Sequence, residues 1–174
     1  MSFVELSVED VKDNPFKLFN KDWALVTAGT DEQFNTMTVS WGGLGILWNK
    51  KICFCVIRPQ RYTYSFVEKS ETFTLSFFAE PYRQSLLFCG TKSGREVDKI
   101  SQTGLKPVFN KDAIYFEEAR LVFVCKKIYF QDITPNNFLL PEIDDNYPQK
   151  DYHRMYLGEI VQCLQKEDKE YFFI

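Results

Sequence analysis

The sequence contains little of what would indicate a fibrous, disordered, secreted or membrane-spanning protein. Its 174 residues include only 8 glycines and 7 prolines, and 45% of them are hydrophobic, which excludes a fibrous or disordered chain. No apolar run approaches the roughly 18 residues that span a bilayer. Residues 1–10 contain three acidic side chains and neither the basic nor the apolar region of a signal peptide. We therefore expect a cytoplasmic protein that is not secreted.

An excess of basic residues is also missing. Lysine and arginine number 21 against 24 aspartates and glutamates, which leaves a formal net charge of −3 at pH 7. This balance argues against nucleic acid or an anionic membrane as a partner.

Cysteine and histidine occur in patterns that favour neither a disulfide framework nor a metal centre. The five cysteines are odd in number and widely spread, which fits a reducing cytoplasm. There is no Cys-x-x-Cys pair and only one histidine, His153, so we expect no Cys/His metal site. A hydrolase triad would have to use His153, and no partner nucleophile is evident in the sequence.

Alternation of apolar and polar residues is the strongest periodic signal, and it predicts β-strands. No repeat, low-complexity tract or linker interrupts the chain, so we expect a single domain over residues 1–174. The predicted strands are 23–28, 34–41, 51–57, 71–78, 120–133 and 155–166. The paired Lys126-Lys127 suggests a bulge or an exposed rim midway along the fifth.

Helices are predicted to be short and irregularly spaced. One begins with Asn14 as N-cap and Pro15 as first residue. The others are predicted at 63–69, 82–89 and 97–103. Because there is no regular βαβ rhythm, the sequence favours a mainly β fold, a closed or partly open barrel, over a doubly wound sheet.

Three segments carry groups that suit a polar, phosphate-bearing ligand, and the first is the predicted strand 34–41. The hydroxyls of Thr36, Thr38 and Ser40 share one face of that strand, roughly 6.6 Å apart. Such a row can donate and accept hydrogen bonds toward a heteroaromatic edge or a phosphate. The alternative is a strand that faces solvent.

The second segment, 58–63, follows an apolar strand and opens a predicted helix. A helix start offers free N–H groups and a positive dipole end, which favour a phosphate. Arg61 would add a charged fork, and Thr63 would act as N-cap or as a phosphate donor. The alternative is an ordinary cap with a surface arginine.

The third segment, 89–99, combines glycines with cations. Its members are Gly90, Lys92, Gly94, Arg95 and Lys99. The glycines let the backbone approach an anion closely, and the alternative is a solvated turn. The segment is not a P-loop, because a threonine precedes the lysine where that motif needs glycine. The stretch 42–45 likewise fails as a dinucleotide fingerprint, because its third glycine is missing.

Over about residues 23–163 the chain resembles the flavin reductase-like family of FMN-binding split-barrel proteins, which includes flavoredoxins. The matching strings, in the family's order, are NTMTVSWGG at 35–43, RPQRYT at 58–63, CGTKSGR at 89–95 with DK at 98–99, and MYLGEI at 155–160. The resemblance implies a six-stranded Greek-key split β-barrel, so that residues 1–174 would form a single FMN-binding split-barrel domain. It also implies a homodimer with FMN near the subunit interface.

The resemblance further implies where FMN would bind. The strand 35–41 would lie along the flavin, and residues 61–63 would hold the phosphate end with help from Lys99. The full set of implied FMN-binding residues is Asn35, Thr36, Met37, Thr38, Val39, Ser40, Trp41, Arg58, Arg61, Tyr62, Thr63, Ser93, Gly94 and Lys99. The aromatic residues at 171–173 would either cover the ring or form a swapped or packing arm.

The predicted function is that of an FMN-dependent oxidoreductase of flavin reductase type. Hydride would pass from NAD(P)H to the bound flavin, and electrons would leave to free flavin or to another small-molecule or protein acceptor. The lack of an acid–base set in the sequence agrees with chemistry that a cofactor carries. Two alternatives stay open: an FMN-bound electron carrier that does not oxidise NAD(P)H itself, and a binding module without cofactor.

Overall fold

The structure, a computed structural model, describes residues 2–111 and 113–167 and consists mainly of β-strands. The aromatic residues at 171–173 lie outside the described residues. The strands are β1 (Phe3–Glu5), β2 (Ala24–Gly29), β3 (Phe34–Val39), β4 (Gly42–Leu47), β5 (Lys50–Ile57), β6 (Thr72–Phe77), β7 (Pro107–Asn110), β8 (Ala113–Phe116), β9 (Leu121–Asp132) and β10 (Arg154–Lys166). The α-helices are α1 (Pro15–Lys17), α2 (Tyr62–Lys69), α3 (Arg83–Thr91) and α4 (Lys99–Thr103).

Shorter helical turns connect these elements. A π-helical turn, Leu18–Asp22, continues α1. The 3-10 turns are Val8–Asp10, Glu80–Tyr82, Pro135–Asn137 and Pro141–Asn146. No helix in the described ranges is long and apolar enough to cross a membrane.

One large antiparallel sheet dominates the fold. Its strand order is β3-β2-β6-β9-β10-β5-β4, with β1 added to β10, and β7 and β8 form a separate pair. The six strands predicted from the sequence are β2, β3, β5, β6, β9 and β10, so that prediction is confirmed to within a residue or two. Contacts between β3 and β5 bring the two ends of this six-stranded path together, as in a split barrel.

The predicted bulge lies at the expected place. Leu157 on β10 faces Tyr129 on β9, whereas the next residue, Gly158, faces Lys127. Ile128 is therefore an extra residue on β9, directly after the paired lysines. The extra residue increases the local twist and lets this long strand bend around the barrel.

The sequence analysis does not predict the strand β4, because its glycines interrupt the alternation of apolar and polar residues. A β-carbon on Gly42 would lie 2.4 Å from the carbonyl oxygen of Phe54 and 2.5 Å from the ring of Phe19. Only glycine lets β4 pack this closely over the two aromatic residues. Gly42 and Gly43 thus serve strand packing, whereas Gly45 has open space around it.

Two apolar clusters lie on opposite faces of the sheet. Alternate residues such as Val26, Leu75 and Phe123 fill the barrel interior. The other face packs Leu25 against Leu86 of α3. This arrangement holds α3 across the outside of β2 and β3, and its C-terminal end consequently lies beside the strand that carries most of the predicted site residues.

The predicted helices are also present. The Oδ1 of Asn14 accepts a 2.9 Å hydrogen bond from the backbone N–H of Phe16, so Asn14 caps α1 as predicted. The helices α2, α3 and α4 agree with the predicted ranges to within two residues. One difference matters for the site: α3 continues through Gly90, which the sequence had placed in a turn.

Candidate functional site

The three predicted segments meet at one end of the barrel. The Nδ2 of Asn35 on β3 donates a 2.7 Å hydrogen bond to the hydroxyl of Thr63 on α2, and both residues are buried. The third segment packs against the same amide, since a β-carbon on Gly94 would lie 2.2 Å from the Oδ1 of Asn35. Glycine at 94 therefore allows the loop after α3 to approach β3.

A buried lysine ties this loop to the strand. The Nζ of Lys99 donates to the carbonyl oxygens of Thr36, at 2.7 Å, and Cys89, at 2.8 Å. Burial lowers the pKa of Lys99 to about 8; the nearby Arg61 charge lowers it further and Cys89 acts in the opposite direction. The side chain is only 5% exposed, so its charge is weakly screened.

Arg61 stands at the junction of all three segments. Its guanidinium donates a 2.7 Å hydrogen bond to the carbonyl oxygen of Gly90, and its pKa is lowered by burial and by the charge of Arg58. In the part of the chain that the structure describes, Arg61, Arg95 and Lys99 have no carboxylate within ion-pair distance. We call these three cations the unpaired cation cluster. The carboxylates of Glu96 and Asp98 line the same cavity as Arg95 and Lys99 but form no ion pair with them.

The neighbouring Arg58 differs from Arg61 because its charge is neutralised. It forms a 2.6 Å ion pair with Asp151 and donates a 2.8 Å hydrogen bond to the carbonyl oxygen of Asn146. Its guanidinium also lies 5.0 Å from the ring centroid of Tyr147. Arg58 therefore anchors the segment before β10 and is less suited than Arg61 to bind an anion.

The start of α2 lies beside the unpaired cation cluster. Its N-cap is Arg61, and no side chain caps the first turn. Thr63 is the second helical residue and its hydroxyl accepts from Asn35, so the interpretation of Thr63 as N-cap is wrong. The free N–H groups and the helix dipole add to the attraction for an anion.

Two of the three hydroxyls in the predicted row do not face solvent as one alternative expected, whereas Ser40, just beyond the end of β3, is exposed. Thr36 is buried, and its hydroxyl lies 2.9 Å from that of Thr27 and donates to the carbonyl oxygen of Val26. The hydroxyl of Thr38, half-buried, donates to the carbonyl oxygen of Leu86. These side-chain donors of β3 thus already form hydrogen bonds within the protein. Because β3 is an edge strand of the sheet, its outer backbone groups have no ladder partner in the described residues.

Two cavities flank the turn at residues 58–62, and they divide the predicted site residues between them. The larger, 460 Å³, is lined in part by Asn35, Thr36, Tyr62, Gly94 and Lys99. The smaller, 260 Å³, is lined by Met37, Thr38, Val39, Ser40, Trp41, Arg58 and Arg61. Two predicted residues line neither: Thr63 contacts Asn35, and the hydroxyl of Ser93 accepts from the backbone N–H of Arg95.

His153 also lines the smaller cavity, and the sequence interpretation gave it no role there. Its ring centroid lies 5.1 Å from that of Trp41, and its Nδ1 lies 2.9 Å from the hydroxyl of Tyr147. Burial, reinforced by the charge of Arg58, lowers the pKa of His153 to about 4, so the ring is neutral at pH 7. No sequence signal locates it there, because its position depends on the pairing of the start of β10 with the end of β5, which are far apart in the chain.

A family model described as "Flavin reductase like domain" matches residues 16–173, nearly the whole chain. The chain belongs to the flavin reductase like family. This confirms the resemblance inferred from the four sequence strings. No curated protein matches the chain.

Solved structures of this fold are similar at low sequence identity. An FMN-binding domain of a flavin reductases-like enzyme from Shewanella baltica OS155 has a TM-score of 0.68 at 17% identity, covering 94% of this chain and 77% of that one. The flavoredoxin of Desulfovibrio vulgaris (Miyazaki F) has a TM-score of 0.66 at 21% identity, covering 94% and 78%. An NADH:FAD oxidoreductase from Streptomyces globisporus C-1027, in complex with NAD and FAD fragments, has a TM-score of 0.63 at 14% identity, covering 83% and 74%. These likenesses confirm the fold class.

Proposed function

We propose that this member of the flavin reductase like family binds FMN in one domain spanning the chain and acts as an oxidoreductase. NAD(P)H would be the hydride donor, and free flavin or another small molecule or protein would be the acceptor. One observation carries the proposal: the unpaired cation cluster lies at an uncapped helix start beside the free edge of β3. A phosphate group at one end of a ligand needs such a place.

The residues fit the phosphate end of FMN. Arg61 offers a guanidinium fork that no carboxylate neutralises among the described residues, and Lys99, which lines the larger cavity, adds a second charge. Arg95 lies over the ring of Tyr62, its Cζ 4.7 Å from the ring centroid, and lines the same cavity as Lys99. Thr63, which lines neither cavity, would support the set by holding Asn35 against the first turn of α2.

The residues also fit the ring end. The smaller cavity offers the aromatic rings of Trp41 and His153, and the backbone of β3 offers hydrogen-bonding groups for the polar edge of a flat ring. Bound flavin would supply the two-electron chemistry that the protein's own side chains lack. The chain's part would be to seat the ring, admit the second substrate and keep a neutral histidine beside it.

The names of structural neighbours support both the flavin cofactor and the nicotinamide donor. Two of them are named as FMN-binding or as a flavoredoxin, and a third is named as an NADH:FAD oxidoreductase in complex with NAD and FAD fragments. The first name supports FMN as the cofactor. The third supports a reduced nicotinamide as the donor.

The visible absorption spectrum tests the proposal most directly. The purified chain, or the chain after incubation with FMN and removal of excess, should show the visible absorption of a bound flavin, on the order of one flavin per chain. Protein that stays colourless after this treatment would overturn FMN binding. Stopped-flow mixing with NADH or NADPH should then bleach the flavin at a catalytic rate. Reduction by dithionite but by neither nucleotide would instead favour an electron carrier.

We also propose that the chain forms a homodimer and resides in the cytoplasm. The edge strand β4 and the turn after it expose Ile46 at 71% and Trp48 at 59%, and the Trp48 ring contacts that of Tyr129. Exposed aromatic and aliphatic residues on a sheet edge are typical of subunit interfaces. The five cysteines are all free and buried, which supports a reducing compartment.

A further inference from the structure

A second large cavity lies at the other end of α3, away from the proposed flavin site. Its volume is 560 Å³, within the range of about 300–1,000 Å³ typical of small-molecule sites. It opens between the π-helical turn Leu18–Asp22 and the start of α3. The side chains of Phe78 and Leu86 give it an apolar floor.

The main feature of this cavity is an arginine that is held in place but not neutralised. The guanidinium carbon of Arg83 lies 3.3 Å from the ring centroid of Trp23. One terminal nitrogen of Arg83 donates to the carbonyl oxygens of Lys21 and Asp22. A guanidinium has five N–H donors, and the other nitrogens of Arg83 have no acceptor in the described ranges. The remaining N–H groups of this immobilised guanidinium are therefore available to donate to a ligand.

Unusual backbone geometry supports Arg83 in this position. Trp23 has a φ of 64°, in the left-handed region that bulky residues rarely adopt. It follows directly on a π-helical turn, a feature that is often found at functional sites. Strained residues persist where the surrounding structure or a ligand makes use of them. Here the strain places an aromatic surface under the guanidinium.

The charges around the cavity favour an anion. The lining cations are Lys17, Lys21, Arg83 and Arg120, and the lining carboxylates are Asp22 and Glu80. Arg120 is held by ion pairs of 2.8 Å to Asp13 and Asp22, and Lys17 lies 3.6 Å from the Asp22 carboxylate. Lys21 and Arg83 have no carboxylate partner among the described residues. Glu80, also unpaired there, would oppose an anion.

We propose that this cavity binds a small organic carboxylate with an apolar body. The planar carboxylate would accept from the free donors of Arg83, because a guanidinium and a carboxylate match in a bidentate arrangement. The apolar body would pack on Phe78 and Leu86. Because Arg83 is already stacked and hydrogen-bonded, little conformational freedom would be lost on binding.

Hexanoate is the probe for this proposal, and the nitrogen-bound protons of Trp23 and Arg83 are the reporters. In ¹H–¹⁵N spectra of the whole chain with FMN added, the Trp23 indole, assigned with Trp23→Phe, and the Nε–H of Arg83 should shift saturably with hexanoate. Hexanamide, which lacks the charge, and inorganic phosphate, which lacks the apolar body, should bind at least about tenfold more weakly. No shift up to about 50 mM hexanoate, or equal binding of hexanamide, would overturn the proposal.

Substitutions then identify the groups responsible. Arg83→Gln should weaken hexanoate binding at least about tenfold, and Glu80→Gln should strengthen it about two- to fivefold by removing a repelling charge. Lys126→Gln, an exposed cation elsewhere, should leave it unchanged. Should Arg83→Gln not fold, Arg83→Lys, which keeps the charge and loses the fork, should still bind several times more weakly than the parent chain. Unchanged hexanoate affinity in the folded Arg83 variant would refute the proposal that Arg83 binds the carboxylate.

Discussion

The side-chain amide of Asn35 donates a 2.7 Å hydrogen bond to the hydroxyl of Thr63, and this bond joins the edge strand β3 to the first turn of α2. Both side chains are buried, so the bond is sheltered from water. The two elements that carry most of the proposed flavin ligands are thereby held at a fixed distance. The position of the helix start relative to the strand depends on this contact.

Gly94→Ala should weaken flavin binding by disturbing this bond. The new β-carbon would meet the Oδ1 of Asn35 at 2.2 Å, so either the amide or the loop must move. We expect a loss of at least about tenfold in FMN affinity, measured by fluorescence quenching of free FMN. Gly45→Ala is the matched control, because no atom lies within 4 Å of its added methyl. Equal affinities in the two variants would contradict the role given to Asn35.

Arg61→Gln and Arg58→Gln should have different consequences although the residues lie close together. Arg61→Gln removes a charge-assisted contact to phosphate and should cost about 1.5–3 kcal/mol of FMN binding free energy. Arg58→Gln removes the partner of Asp151 and should lower the free energy of unfolding by roughly 1 kcal/mol, with a smaller effect on FMN affinity. Titration with FMN and urea unfolding separate the two effects. Similar FMN affinities in both variants would argue against Arg61 as the phosphate ligand.

FMN affinity should fall as the pH rises through about 8, because Lys99 loses its proton there. The phosphate stays dianionic above about pH 7, so only the protein's charge changes in this range. Lys99→Arg, which remains charged, should give a flat profile between pH 7 and 9. Lys99→Met should bind weakly throughout. Dissociation constants measured across this range check the prediction, and a flat profile for the parent chain would refute it.

His153 should make the fold less stable in acid. Its pKa in the folded chain, about 4, is below the ordinary value of 6.5, so the folded state binds fewer protons than the unfolded state between those values. The free energy of unfolding should therefore decrease as the pH falls from 6.5 to 4. His153→Gln should remove this component of the slope. Urea midpoints measured at several pH values would show it, and parallel curves for the two proteins would contradict it.

Trp48→Ser should shift the chain from dimer to monomer. Trp48 is 59% exposed next to the edge strand β4, where a second copy could cover it. Light scattering coupled to size exclusion measures the mass. Phe16→Ser, which alters a residue that is 85% exposed elsewhere, should leave the dimer intact. A monomeric parent chain, or dissociation by Phe16→Ser alone, would contradict the proposed interface.

Strand positions could be predicted from the sequence because alternation reflects burial on one face, and the six strands of the barrel follow that rule. β4 could not be predicted, because its glycines are required by close packing against Phe54, which no local pattern shows. Gly90 was placed in a turn because glycine lowers helix propensity, yet tertiary packing keeps it within α3. Local sequence patterns show neither the packing of β4 on Phe54 nor the tertiary packing around Gly90.

The sequence pointed to three segments of one candidate site, and their proximity is observed, but the charge pairing within them could not be predicted. The sequence brought the segments 35–41, 58–63 and 89–99 together, and the structure shows them in contact. It could not show that Asp151 neutralises Arg58 and leaves Arg61 unpaired, because that contact spans 93 residues. The same holds for the place of His153 beside Trp41. The binding roles themselves stay predictions until flavin is measured.

The attachment of the Lys99 ammonium to two carbonyl oxygens has a consequence for sequence drift. Those oxygens belong to the main chain at residues 36 and 89, and every amino acid supplies one. Substitutions at either position would therefore leave the hydrogen bonds available, provided that the backbone path is preserved. The position of the Lys99 charge therefore depends on the backbone path of the barrel and not on the identity of residues 36 and 89. Relatives that keep this path and the lysine can keep the charge in place although the surrounding sequence differs.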